Sequence, residues 1–437
     1  MKLILSILFS LFGMGTMAQT VEQELKADVN RAAGMFYARP IVGKMPKDTP
    51  PPAGKVPFYI NHYGCAGSYY LDKKEYYEEP YALFLRADSL GKLTKLGKDV
   101  LRRVTLLRNE AKDRWGELTS KGAMQSRALM KLMLNRVPEM LSKETYFSVH
   151  SIVENRSILT MQEGLLQLSS MQQPIIARSK ASNQAVRYMI AGDTELAAKA
   201  TDSLTMARYN RFSALNTYDG RLMASLFNDL NYVATYIDEA RLARQLFILA
   251  GNVQHTELAG LITLYDIFTP EEIHQHWRKQ NAWHYINYGG CTLNGGYQAY
   301  VRRALLRNMM HMGDSVMGRT TPLMHLRFTH ENAVMSLACL MELDGLGFHT
   351  SNLDSLEAYG WANYRISPLG GAINMVHYRS SIDDTDVLVK VIFNGHEAKL
   401  PIETDCAPYY HWRDVKRYYL RKLYRYENKR LHETSKQ

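Results

Sequence analysis

The first clear pattern in the chain is a short run of β-branched and aromatic residues over 56–63. Gly64 and Gly67 follow it and favour a tight loop. A short apolar run bounded by turn residues is typical of a buried strand. Because strand ends often carry the ligand sites of α/β folds, the loop after this strand is a candidate site.

Helical periodicity follows. Residues 93–115 carry one apolar stripe with charges between its members, which predicts a surface helix packed on a sheet. Thr119 or Ser120 is available as the N-cap of a further helix. After the helix over 93–115, the sequence predicts a helix over 122–135, a strand over 146–149 and a helix over 156–168.

Strand patterning nearly disappears between residues 169 and 280, where helix-forming runs dominate at 196–208 and 232–250. This stretch predicts an inserted helical subdomain. We therefore expect an α/β core over 19–168 and 290–437, and a helical insert or cap over 169–289. Strands return at 323–328, 373–379 and 387–393, and Asn394-Gly395 predicts a hairpin whose return strand is 397–402.

Residues 1–18 predict a signal peptide. Lys2 precedes an apolar run over 3–12, and Thr16-Met17-Ala18 offers a cleavage site. A run of about ten apolar residues is too short to span a bilayer, which argues against the alternative of a membrane anchor. No later stretch is long and apolar enough to cross a membrane. We expect an exported chain, either periplasmic or secreted.

Composition and charge narrow the function classes. The chain has 437 residues, 46% of them hydrophobic, which is enough for a sizeable core and excludes a disordered or fibrous protein. The net charge of +10 favours acidic partners such as phosphorylated small molecules. Much of the excess lies in 413–436, among Tyr and Leu residues. A nucleic-acid surface is one explanation, but a terminal helix that docks its Tyr/Leu face is favoured.

The cysteines predict neither a zinc site nor a disulfide scaffold, because no CxxC pair and no His at metal-ligand spacing accompanies them. We predict neither a metal nor a cofactor. The cysteines could form one or two disulfides, or they could be buried free thiols, and the sequence does not choose between these alternatives. The four cysteines are Cys65, Cys291, Cys339 and Cys406.

Several motifs occur in a fixed order through most of the chain. Residues 58–70 read FYINHYGCAGSYY, residues 116–122 read GELTSKG and residues 326–331 read LRFTHE. They resemble the R-H-G-x-R loop, the G-x-L-T-x-x-G helix entry and the H-D or H-A-E strand end of the histidine acid phosphatases, in the branch of bacterial multiple inositol polyphosphate phosphatases. His150-Ser151 with Arg156 is similar to the family's R-S-T segment.

The resemblance implies an α/β fold with a mixed central sheet flanked by helices and an inserted helical subdomain. It also implies a phosphomonoesterase mechanism. In that mechanism a histidine attacks phosphorus, arginines hold the phosphate oxygens and a carboxylic acid beside a second histidine protonates the leaving alcohol. Arginine suits this task because its planar fork forms bidentate, charged bonds to phosphate.

The chain departs from this pattern at nearly every catalytic position. The R-H-G-x-R loop falls on Cys65, Ala66, Gly67, Ser68 and Tyr69. An alanine therefore occupies the nucleophile position, and both loop arginines are absent. The third arginine falls on His150, whereas His330 and Glu331 remain at the positions of the second histidine and the proton donor.

Neither Cys65 nor Tyr69 is a good substitute for the missing histidine nucleophile. A cysteine phosphatase needs an arginine six residues after its cysteine, but position 71 is Leu. Tyr69 would ionise only near pH 10. Because losing the nucleophile of a covalent enzyme costs on the order of a millionfold in turnover, we predict an inactive pseudophosphatase. We expect it to bind a small phosphorylated or otherwise anionic ligand in the cleft between core and cap.

Two other functions stay open. One is a residual hydrolase of inositol polyphosphates that uses His330 and Glu331, although these two side chains could instead only hydrogen-bond within a packed loop. The other is an envelope protein that binds a partner through its basic tail or its helical insert, with a vestigial pocket. Filling of the volume of the missing arginines is the favoured role of Tyr69 and Tyr70, and a new site for a sugar or an aromatic ligand is the alternative.

Overall fold

The computed structural model of the chain describes residues 19–41, 47–172, 174–184, 186–217 and 219–434. The predicted signal peptide, residues 1–18, lies outside these residues. The strands within the described ranges are β1 (Val56–Cys65), β2 (Tyr146–Ser151), β3 (Ile176–Ala181), β4 (Leu323–Thr329), β5 (Ala372–Arg379), β6 (Leu388–Phe393), β7 (His396–Glu397) and β8 (Tyr409–His411).

Helices surround these strands. In chain order they are α1 (Val21–Ala27), α2 (Glu75–Ser89), α3 (Lys95–Ala111), α4 (Ser120–Asn135), α5 (Asn155–Met171), α6 (Arg187–Ile190), α7 (Thr194–Ala200), α8 (Ser203–Leu215), α9 (Asp219–Leu226), α10 (Leu230–Tyr236), α11 (Glu239–Val253), α12 (Pro270–Tyr288), α13 (Arg303–Ser315), α14 (Glu331–Leu340), α15 (Asn363–Ile366) and α16 (Trp412–Thr434). No described helix has the length and apolar character needed to cross a membrane.

All eight strands form one mixed sheet in the order β3-β2-β4-β1-β5-β6-β7, with β8 paired to β6. Strands β1, β2, β3 and β4 run parallel to one another, and β5 and the later strands pair antiparallel. The predicted α/β fold with a mixed central sheet is confirmed.

Successive side chains of β1 point to opposite faces of the sheet, and both faces are apolar. Tyr59 and Tyr63 face a core that also contains side chains of α12, α13, α14 and α16. Ile60 points to the opposite face. Helices α4 and α5 cover this face with apolar side chains such as Met130 and Leu168. A third core is almost entirely helical and joins α2 and α3 to α9, α11 and α12. The sheet is therefore buried on both faces, and a helical region extends from it.

Two predicted helices are each divided in two. The helix predicted over 196–208 is α7 followed by α8, because the Asp202 side chain accepts a bond from the Thr205 amide and starts a new helix. The helix predicted over 232–250 is α10 followed by α11, with Asp238 as the cap. Aspartate is a strong N-cap residue, so it interrupts an otherwise continuous helical pattern. The domain boundaries at 169 and 289 stay a prediction.

Two strand predictions are also corrected. Residues 169–280 contain the exposed edge strand β3, which pairs with β2 through its backbone although its sequence is polar. The hairpin at Asn394-Gly395 is confirmed, with φ angles of 45° and 87°. Its return strand is only β7, because the amide of Lys399 bonds to the Asp344 carboxylate instead of continuing the ladder.

The C-terminal segment forms α16 as expected, with Tyr419 and Leu423 buried against the core. All four cysteines are free thiols, and only Cys406 is partly exposed. The buried-thiol alternative therefore describes three of the four, and no disulfide joins any of them.

Candidate functional site

The candidate site lies where three parallel strands end. In the register of the sheet, Cys65 at the end of β1 pairs with Thr329 at the end of β4, and Ser151 at the end of β2 pairs with Phe328. The connections after these strands therefore meet at one edge of the sheet. This is the edge at which open α/β sheets bind ligands.

Backbone hydrogen bonds hold the loop after β1. The Cys65 amide donates to Gly371 at 2.9 Å, the Ala66 amide to Thr329 at 3.3 Å, and the Gly370 amide to the Ala66 carbonyl at 2.8 Å. Ala66 is fully buried. The conformation of the loop is thus fixed by backbone bonds that do not depend on the side chain of Ala66.

Two glycines let α4 pack against this loop. A Cβ on Gly67 would lie 2.7 Å from the Gly122 carbonyl oxygen, and a Cβ on Gly122 would lie 2.0 Å from the Ser68 carbonyl oxygen. Thr119 caps α4 by accepting from the Gly122 amide, and its own amide donates to Ser68 at 3.0 Å. The GELTSKG motif therefore forms the contact between the helix start and the loop.

Cys65 does not offer a reactive thiol. Its Sγ donates to the Pro368 carbonyl at 3.2 Å. Burial, reinforced by the charge of Glu331, raises the pKa of the Cys65 thiol to about 12. The thiol therefore remains protonated at neutral pH, whereas nucleophilic attack requires the thiolate.

Tyr69 fills the space between the loop and the start of α14. It is 3% exposed, its hydroxyl donates to Glu331 Oε1 at 3.2 Å, and its ring lies edge-on to Phe36. The guanidinium carbon of Arg156 is 4.5 Å from the ring centroid. Burial, together with the charge of Glu331, raises the pKa of Tyr69 well above its usual value. Tyr69 is therefore a neutral hydrogen-bond donor.

Charged side chains gather on the other side of Tyr69. His330 occupies the N-cap position of α14, and its Nδ1 lies 3.2 Å from Glu154 Oε2 and 3.4 Å from Arg156 Nη2. Arg156 Nη2 is itself 2.9 Å from Glu154 Oε2. Glu331, the first residue of α14, is 8% exposed. The connection between β4 and α14 thus meets the connection between β2 and α5.

Several buried polar atoms around these charges have no hydrogen-bond partner. They are Oε2 of Glu331, Nε of Arg156, Oδ1 of Asn332 and Nε of Arg302. Asn332 Nδ2 donates to the Tyr288 hydroxyl at 3.4 Å. Burial raises the pKa of Tyr288, and the charges of Glu331 and Arg302 both act on it, in opposite directions. Because unpaired buried donors and acceptors are rare in native proteins, their concentration marks a place for a polar ligand.

His150 has different neighbours. Its Nδ1 lies 3.5 Å from the Tyr188 hydroxyl and its Nε2 lies 3.3 Å from Ser148 Oγ. Burial, followed by the positive charge of Arg327, lowers the pKa of His150 to about 4. The structure brings Arg156, and not His150, next to His330. That His150 takes the place of the family's third arginine stays a prediction.

A large open cleft of about 1160 Å³ lies near the site. Helix α12 contributes His284 to the cleft, and the ring of His284 lies 6.1 Å from Tyr288, which contacts Asn332. Helices α2, α8 and α11 form the other walls. The charged lining residues are of both signs: Lys73, Glu75, Glu79, Asp238, Arg241, Arg244 and Lys279.

Sequence reasoning missed part of this site. Glu154 follows β2 directly, so the rule that pointed to the end of β1 would have found it had it been applied to every strand. The resemblance to the R-S-T segment included Arg156 but gave it no role. Asn332 adjoins a predicted residue. Arg302 and Tyr288 gave no signal, because only the packing of α12 and of the 3-10 turn Gln298–Arg302 brings them to the strand ends.

No family model and no curated protein matches the chain. Solved structures do match it. The multiple inositol polyphosphate phosphatase of Bifidobacterium longum, in complex with inositol hexasulfate, superimposes with a TM-score of 0.74 at 14% identity, over 88% of this chain and 97% of that one.

The same enzyme in complex with phosphate gives a TM-score of 0.72 at 14% identity, with the same coverage of both chains. The phytase of D. castellii gives 0.65 at 13% identity, over 95% of this chain and 90% of that one. Identities this low carry information on the fold alone. The chain therefore has the fold of the histidine acid phosphatases.

Proposed function

We propose that this protein is a pseudophosphatase, which binds a small ligand at the strand ends and does not cleave phosphomonoesters through a phosphohistidine. The observation that carries the proposal is the buried Ala66, which has no nucleophilic atom and which the family resemblance aligns with the nucleophilic histidine. Cys65 and Tyr69 do not replace it, because burial keeps both side chains protonated.

The remaining polar groups support ligand binding. Arg156 and Arg302 are cations beside buried atoms that lack partners, and Asn332 adds an amide. The B. longum enzyme, which has the same fold, is known in complex with phosphate and with inositol hexasulfate. We therefore propose a small anionic ligand for this chain also. Its binding energy would come from charge-assisted bonds to the arginines and from pairing of the orphaned atoms.

Local charge refines the ligand class. Glu154 and Glu331 face the same space as Arg156, so the carboxylates cancel much of the field that the arginines provide. A hexakisphosphate would meet two carboxylates with few opposing cations. A ring with several hydroxyl groups and one or two phosphates fits this balance better, because hydroxyl groups donate to carboxylates.

Calorimetric titration tests the proposal, with myo-inositol, an inositol monophosphate, inositol hexakisphosphate and inorganic phosphate as ligands. We expect the monophosphate to bind best, and Arg156→Ala to weaken it by at least tenfold. Arg114→Ala is the matched control, because Arg114 lies 4.5 Å from the ring of Tyr70 just as Arg156 does from Tyr69, but outside the site. Absence of binding by all four ligands would refute the ligand-binding proposal.

Phosphate release from the same compounds tests the second half of the proposal. We expect none above background from the purified chain. A residual hydrolase is the competing function, since His330 and Glu331 remain at a strand end. A measurable rate of release that falls in His330→Ala would establish it and contradict our proposal. Export remains part of the proposal, and N-terminal sequencing of the protein recovered from the producing cells tests it.

A further inference from the structure

A second group of reactive side chains lies on β8 and the loop before it. Asp405, Cys406 and His411 each present one potential metal ligand, and these three atoms lie within 4.8 Å of one another. His411 Nε2 is 2.9 Å from Asp405 Oδ1, and the Cys406 thiol donates to the Tyr409 carbonyl at 3.4 Å. One nitrogen, one sulfur and one oxygen therefore converge on the same point.

The other side of the His411 ring is held by a second carboxylate. His411 Nδ1 lies 2.6 Å from Asp386 Oδ1. Asp386 is fixed in turn, because its amide donates to Asp384 at 2.9 Å and its carbonyl accepts from the ammonium group of Lys55. A carboxylate that accepts from one imidazole nitrogen while the other nitrogen faces a metal is the usual outer-shell arrangement of histidine ligands.

We propose that Asp405, Cys406 and His411 bind a divalent transition metal, with zinc as the best fit. Zinc takes sulfur, imidazole nitrogen and carboxylate oxygen in a tetrahedral site. On binding, the Cys406 thiol would lose its proton to solvent, and the thiolate and the Asp405 carboxylate would together balance the two charges of the cation.

Exposure and spacing agree with such a site. Asp405 is 82% exposed on its side chain, so the cation has a direct path from solvent and a water molecule can complete the coordination. Zinc ligands at bonds of about 2.0 to 2.3 Å lie about 3.3 to 3.8 Å apart. The observed limit of 4.8 Å requires only small side-chain rotations.

The metal would act as a structural link. His411 ends β8, where it pairs with Leu388 of β6, whereas Asp405 and Cys406 belong to the preceding loop. A bound cation would therefore fasten the loop to the edge of the sheet and to the start of α16 directly after it. No metal is predicted from the sequence, because a Cys and a His separated by four residues do not have the spacing of common zinc motifs.

Cobalt is the probe for the first experiment, because a thiolate bound to Co²⁺ absorbs in the near ultraviolet. We expect one equivalent of Co²⁺ to produce this absorption in the purified chain and one equivalent of Zn²⁺ to remove it. Cys406→Ser should abolish the absorption, and His411→Ala should weaken binding by at least a hundredfold. Asp386→Asn should weaken it about 10- to 100-fold with the absorption retained.

His396→Ala is the matched control, because His396 pairs with Asp344 at 2.8 Å but is no part of the cluster. Its affinity for the metal should equal that of the native chain. Near-ultraviolet circular dichroism checks that each variant is folded. If Cys406→Ser does not fold, the rate at which iodoacetamide alkylates Cys406 in the native chain replaces it, and Zn²⁺ should slow that rate.

Two results would overturn the proposal. One is absence of stoichiometric Zn²⁺ or Co²⁺ binding at micromolar metal. The other is binding that survives Cys406→Ser and His411→Ala, or that His396→Ala lowers equally. Zinc at a hundred times its dissociation constant should also raise the melting temperature of the native chain by roughly 3 to 5 °C. The two ligand variants should show no such increase.

Discussion

The ends of β1 and β4 lie side by side on one edge of the sheet, but their chemistry differs. After β1, Ala66 and Gly67 are buried and their amide groups are paired. After β4, His330 contacts charged groups, and buried Glu331 has an oxygen without a partner. One connection has become part of the packed interior, whereas the other retains polar groups that a ligand could use.

This difference separates what holds the site from what acts in it. The loop after β1 is positioned by backbone bonds and by close glycine contacts with α4, which are independent of the side chains at positions 65, 66 and 69. The backbone bonds that hold the loop would therefore remain when those side chains are replaced. Tyr69 joins the two regions. Its ring packs beside the loop after β1, and its hydroxyl donates to Glu331 at the start of α14. Four predictions test this comparison, beginning with the largest effect.

Restoring the chemistry after β1 should give the largest change. The triple variant Cys65→Arg, Ala66→His and Tyr69→Arg supplies a nucleophile and two phosphate-binding arginines next to the retained His330. We expect phosphate release from inositol phosphates to rise by on the order of a thousandfold or more over the native chain, because a missing nucleophile costs about a millionfold. A coupled assay for inorganic phosphate measures it.

The double variant Cys65→Arg and Tyr69→Arg is the control for this experiment. It adds the same charges without the nucleophile and should remain silent. Circular dichroism of both variants checks the fold. Equal rates from the double and triple variants would show that Ala66 does not occupy the nucleophile position.

The close contact between α4 and the loop after β1 depends on Gly122. In Gly122→Ala the new Cβ would lie 2.0 Å from the Ser68 carbonyl, a backbone atom that other bonds hold in place. We expect a loss of about 3 kcal/mol in the free energy of unfolding, measured by urea denaturation. Gly318→Ala is the control, since a Cβ there meets no atom within 4 Å, and its effect should stay within about 0.5 kcal/mol.

His255, which contacts the loop after β1, should make the stability of the folded chain sensitive to acid. Its Nδ1 lies 3.0 Å from Ser68 Oγ, and burial lowers its pKa from 6.5 to about 4. The unfolded chain therefore binds the proton more readily, so the stabilising contribution is complete above pH 6.5 and is lost as the pH falls towards 4.

Urea denaturation at pH 7 and pH 5 measures this contribution. Other buried histidines also titrate, so the informative quantity is the difference between the native chain and His255→Gln. We expect the native chain to lose about 2 kcal/mol more than the variant between these pH values. An equal loss in both proteins would mean that His255 is protonated in the folded state without cost.

The smallest effect concerns the bond that joins the two regions. Tyr69→Phe removes the hydroxyl that donates to Glu331 and should cost about 1 to 2 kcal/mol of stability, because the acceptor is a carboxylate. A double-mutant cycle with Glu331→Gln isolates this coupling. A coupling near zero would show that the bond does not contribute, and that Tyr69 only fills volume.

Local sequence determined much of this protein. The apolar run before Gly64 predicted β1, Thr119 with Gly122 predicted the start of α4, and Asn394-Gly395 predicted the hairpin. The ordered motifs predicted the fold. These features depend on neighbouring residues, through periodicity, capping and turn geometry, so the sequence alone displays them.

Only the tertiary structure decided which distant side chains meet. Arg156 lies next to His330 because β2 and β4 pair in parallel, and that register is set by the whole sheet. Arg302 reaches the site through packing of helices far apart in sequence. His411 faces Asp386 because β8 returns to pair with β6. Contacts of this kind arise from long-range packing, which no local pattern encodes.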